Sequence, residues 1–70
     1  MEIGQRVILV SLLRRGEFLG TLIARENFDP KIGTVKLDIQ DAPVTGVRIY
    51  EERTEVVDGS LWQACWPDNG

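Results

Sequence analysis

The sequence predicts an all-β fold, a small five-stranded barrel or sandwich that bends strongly. Gly, Pro, Asn and Asp interrupt the chain at short intervals, and the stretches between them favour β-branched and aromatic residues. No segment carries a sustained helical stripe, and no repeat or low-complexity linker divides the chain. Residues 1–70 therefore read as one small β domain.

The first strand is expected over Gln5–Leu13, where Val7 to Leu13 is apolar on both faces. Such a strand lies centrally and is covered on each side. Arg14-Arg15-Gly16 reads as a tight turn, with Gly16 free to take positive φ. Glu17–Arg25 forms the second strand, with Phe18, Gly20, Leu22 and Ala24 on one face. Gly20 within it suggests a bulge or a sharp bend, as small barrels use to close.

Residues 26–33 give the longest expected connection, with Asp29-Pro30 starting a turn and Gly33 ending the loop. Thr34–Gln40 then alternates cleanly, Val35, Leu37 and Ile39 pointing inward. Residues 41–46 turn the chain again, and Val47 and Ile49 open the fourth strand. In the last third, Asp58-Gly59 is a hairpin signal. Ser60-Leu61-Trp62-Gln63 also fits the capping box of a short helical turn, although Pro67 opposes a long helix. The reading adopted is a hairpin with Leu61–Cys65 as the fifth strand, a single helical turn near the C-terminus being the alternative. Barrels of the Src-homology type are the nearest architecture, a comparison of folds that carries no function.

Seventy residues lie near the lower limit for independent folding. At about 25 cal/mol/Å² of apolar burial, set against backbone and side-chain ordering, such a chain has little surplus. Disulfides or a structural metal often make up the difference, but Cys65 is the only cysteine and histidine is absent. Good packing and self-association remain, so a homodimer or larger homo-oligomer is expected. The lone cysteine, Met1 and the lack of a signal-like segment point to a reducing cytoplasm. The apolar run Val7 to Leu13 is too short to span a membrane.

The net charge of −3 argues against nucleic acid as the main partner. The charge is uneven, +2 over residues 1–36 and −5 over residues 37–70. That asymmetry could steer a partner or make two copies complementary.

The residue inventory points away from catalysis. Without histidine there is no Ser–His or Cys–His pair, and no glycine spacing makes a phosphate loop. Glu51 and Glu52 are strand neighbours facing opposite ways, a poor acid–base pair. The acids of Asp38-Ile39-Gln40-Asp41 lack the spacing of a calcium loop. Cys65, between Ala64 and Trp66, reads as a small core residue. No catalytic residue, cofactor or metal is expected.

Candidate partner-binding residues are Trp62, Trp66 and Tyr50, with Arg14 and Arg15 at a hairpin tip. On an extended segment Trp62, Ala64 and Trp66 share one face. One tryptophan suffices for a core this small, and exposed aromatics are enriched in interfaces. The leading expectation is a non-catalytic protein-interaction module that self-associates through an edge strand or this aromatic face. One alternative is a small acidic inhibitor or adaptor, of the kind phages and mobile elements carry, that blocks a nucleic-acid-handling machine. Another is a weak nucleic-acid-binding barrel using Arg14, Arg15, Lys31 and Lys36.

Overall fold

A computed structural model describes residues 1–54 and 63–69. Its described residues form five strands and no helix: β1 (Arg6–Ser11), β2 (Arg14–Arg25), β3 (Ile32–Leu37), β4 (Val44–Ile49) and β5 (Gln63–Pro67). They close into a barrel in chain order, the all-β small barrel expected from the sequence. No helix long and apolar enough to cross a membrane occurs among the described residues.

Closure of an odd number of strands dictates the last pairing. Directions cannot alternate all the way round a ring of five. Four contacts are antiparallel, and the fifth, β4 with β5, is parallel. A parallel pair needs a connection of about a dozen residues or more. The chain supplies residues 50–62, which makes this the longest connection instead of residues 26–33. The expected Asp58-Gly59 hairpin and the possible helical turn at Ser60 lie outside the described residues. The fifth strand itself is Gln63–Pro67, shifted two residues along from Leu61–Cys65.

The core follows a period of two. Val7 and Leu9, Leu22, Val35 and Leu37, Val47 and Ile49, and Cys65 point into the barrel. Met1, Phe18 and Val44 pack against this cluster. Gly20 continues the inward series of β2, flanked by Val7 of β1 and Leu37 of β3. A Cβ there would stand 2.7 Å from the Lys36 carbonyl oxygen and 2.9 Å from Val35 Cγ1. The glycine thus marks a close approach between strands.

Bulges correct several side-chain assignments. Between Leu22 and Ala24 the β2–β3 register shifts at Ile23, so Ala24 is exposed and does not share the buried face of Gly20 and Leu22 on which the alternation put it. Leu12 and Leu13 form the β1–β2 turn and do not extend the first strand. Arg14, Arg15 and Gly16 belong to β2, where Gly16 takes φ +105° as the register slips. Ile39 is 64% exposed, because β3 ends at Leu37 and the chain turns there.

One end of β2 is tied to the N-terminus. The Arg25 guanidinium donates to the Pro30 carbonyl at 2.6 Å and also to the Met1 carbonyl. The N-terminal ammonium sits 3.2 Å from Glu51. Elsewhere Arg6 donates to Asp38 at 2.8 Å and Arg53 to Glu17 at 2.7 Å. These hydrogen bonds hold both carboxyls below their ordinary range.

Candidate functional site

Among the described residues, the pole of the barrel at the start of β2 is left uncovered. Two adjoining depressions meet there, divided by the β1–β2 turn. The first, about 180 Å³, is lined by Leu9, Leu13, Phe18, Leu37 and Val44, with Gln40 and Gln63 among its polar groups. It opens onto the packed interior, since Leu9 and Leu37 belong to the core. The second is a broader groove of about 540 Å³ that includes Arg14, Arg15, Glu17, Arg53 and Trp66. Ser11 and Arg14 line both.

The turn is built for this division. Ser11 pairs with Arg14, leaving only Leu12 and Leu13 between them, and the Leu13 N–H donates to Ser11 Oγ at 3.1 Å. Leu13 is 72% exposed at the lip of the smaller depression. The Arg14 guanidinium lies 5.6 Å from the Phe18 ring centroid, a cation–π distance that holds the charge beside the apolar wall.

The groove carries net positive charge. Arg53 is matched with Glu17, whereas Arg14 and Arg15 make no ion pair among the described residues. Arg25, Lys31, Lys36 and Arg48 also lack an ion pair among the described residues, so what sets Arg14 and Arg15 apart is that they are adjacent and border one groove.

Of the expected partner-binding residues, Arg14, Arg15 and Trp66 border this one groove. Trp66 is only 3% exposed, lying under the Arg53 guanidinium at 5.2 Å. It points away from the barrel interior, opposite in sense to its neighbour Cys65. Its indole Nε1 is buried without a hydrogen-bond partner among the described residues. An enclosed donor left so costs about 1–3 kcal/mol. Tyr50 lies elsewhere: half-buried, it donates its N–H to the Cys65 carbonyl at 2.9 Å and sits beneath Arg48. Trp62 lies outside the described residues.

Sequence reasoning missed Leu13, Phe18, Gln40 and Val44 as parts of one site. Leu13 was expected inside a strand, and nothing local distinguishes Leu12-Leu13 from the apolar run before it. Lys31 and Lys36 do not join Arg14 and Arg15. Lys31 follows the far end of β2, and Lys36 turns its Nζ to the Leu37 carbonyl at 2.7 Å.

Cys65 is fully buried, and burial pushes its thiol up to about 11. Ionisation is thereby disfavoured in the folded chain. Its linked contribution to stability is present below the ordinary value of 9.0 and lost as pH rises through about 11. Alkylation by iodoacetamide at pH 8 should be at least tenfold slower in native protein than in urea. Mass spectrometry of quenched samples measures both rates; equal rates would show the thiol to be accessible.

Together these features define a small closed β-barrel with a mixed apolar and cationic surface at one pole. No protein-family model, curated protein or solved structure matches the chain.

Proposed function

We propose that this chain is a non-catalytic protein-interaction module that self-associates through side chains at its open pole. The observation that carries the reading is apolar surface left wet. Leu13, 72% exposed, lines the depression that reaches the core; Leu12, 46% exposed, lines the adjoining groove; and Ile39, 64% exposed, precedes Gln40 of the depression in the chain. Contiguous apolar surface on a small domain marks a contact site. Burying one such side chain is worth about 1.5–3 kcal/mol.

Ring closure favours side chains over an edge strand as the contact. Each described strand has a neighbour on both sides, and closed barrels lack free edges. The acidic-inhibitor reading finds less support, because it needs carboxylates arrayed along one stripe. Asp38 is matched by Arg6 and Glu51 by the N-terminus, while Asp41 lies in the β3–β4 turn. The nucleic-acid reading likewise loses the continuous cationic track that Lys31 and Lys36 would have extended.

Sedimentation velocity from micromolar to near-millimolar protein tests the proposal. The weight-average mass should rise with concentration. A constant monomer mass throughout would remove self-association.

A further inference from the structure

Phe28 is 85% exposed, the most exposed of the large apolar side chains among the described residues. It lies in the β2–β3 loop, whereas the open pole is at the start of β2. Twelve residues of strand separate the two. The loop is tied down by its own hydrogen bonds. Asp29 Oδ1 accepts from the Lys31 N–H at 3.1 Å, and the Asp29 carbonyl accepts from the Ile32 N–H at 3.0 Å. The Glu26 N–H donates to the Ile32 carbonyl at 2.9 Å, and Arg25 holds the Pro30 carbonyl. An aromatic ring on a fastened loop loses little conformational freedom on docking.

The chemistry of the two poles is complementary. Phe28 stands between Glu26 and Asp29. The depression at the start of β2 is apolar within and has Arg14 at its rim, with Arg15 next in the chain. Its volume is about 180 Å³, and a cavity of roughly 150 Å³ accommodates a benzene ring. The depression, open on one side, is comparable in volume to a phenyl group.

We infer that Phe28 of one copy enters the Leu9–Leu13–Phe18–Leu37–Val44 depression of a second copy, with Glu26 and Asp29 facing Arg14 and Arg15. This rests on the self-association proposed above and specifies its geometry. The two surfaces differ, so the contact is head-to-tail, and copies add in a row unless their rotation closes a ring. The charges flanking the ring are exposed, so salt weakens the contact.

Two exposed-site variants test the pairing, each destroying one pole and sparing the other. Phe28→Ser removes the inserted ring. Leu13→Asp sets a like charge against Glu26 and Asp29 at the receiving lip. Circular dichroism melts should first show both variants folded. Each alone should sediment as a monomer at concentrations where the wild type is larger. Mixed in equal amounts they should double in mass and stop there, because one intact pole on each gives a single closed contact. If the wild type associates and either variant does so equally well, this pairing is wrong while self-association stands. Monomeric variants that fail to combine also overturn it, in favour of a contact between like poles. A wild type monomeric at every concentration sinks both readings. Capture by such a monomer of an unrelated acidic peptide bearing one phenylalanine would assign the depression to a foreign partner.

Discussion

Leu22→Ala should unfold a large share of the molecules near body temperature. Leu22 is completely enclosed and is the largest of the fully buried side chains among the described residues. It pairs with Val35 immediately before the Ile23 bulge and lies within the buried cluster. Comparable truncations cost about 2.7–5 kcal/mol through lost transfer energy and the cavity left behind. A chain of this length has only about 3.5–10 kcal/mol in total, at about 0.05–0.15 kcal/mol per residue. Each kcal/mol moves the thermal midpoint of so small a domain by about 4–8 °C. A drop of at least about 10 °C by circular dichroism is expected. A shift below about 4 °C would mean that the barrel interior is loose at its centre.

Gly20→Val should be worse. The added Cβ alone would meet the Lys36 carbonyl oxygen at 2.7 Å and Leu37 Cα at 3.2 Å, both backbone, so β3 would have to move. The two further methyls of valine enlarge the clash with Val35. Overpacking costs about 1–3 kcal/mol in a core that can adjust, and a backbone obstacle adjusts least. The variant should accumulate as insoluble protein, and Gly20→Ala should melt well below the wild type. Gly16→Ala supplies the contrast. Its Cβ would meet nothing within 4 Å, so only the positive φ of 105° opposes it, at about 1–2 kcal/mol. If Gly20→Ala is tolerated better than Gly16→Ala, the close packing of β2 on β3 is wrong.

These two positions also show which parts of the fold were legible in the sequence. Val35 and Leu37 followed from alternation alone, because a strand with one wet face carries its orientation in the pattern. Gly20 was recognisable as special, but whether it bends the strand or admits a neighbour depends on β3, which arrives from elsewhere in the chain. The bulge at Ile23 had no local signal, and it turned Ala24 outward. Ile39 continued the alternation beyond the point where pairing ends. The number of strands implied a parallel closure, a constraint visible in no single segment.

The open pole was harder to read. Arg14 and Arg15 stood out by charge, and Trp66 by size, and they do border one groove. Phe18 and Val44 looked like ordinary core residues, which in part they are. What makes them part of a site is the gap left beside them, a property of how Leu13 and the β3–β4 turn fail to cover that end of the barrel. A gap has no residue of its own to announce it. The weight of Trp66 changes as well: it lies buried beneath Arg53 on the outer face of β5, and the most exposed large apolar residues among those described are Phe28, Leu13 and Ile39, ahead of Ile3, Leu19, Leu12 and Ile23.

Hydrogen–deuterium exchange of the wild type, compared between dilute and concentrated solution, tests most directly that this pole is the surface the chain presents to others. On concentration, peptides covering residues 11–18 and 38–44 should slow while those from the interior of β3 stay unchanged. Exchange that is identical at both concentrations, or protection that develops only away from the start of β2, would contradict the account.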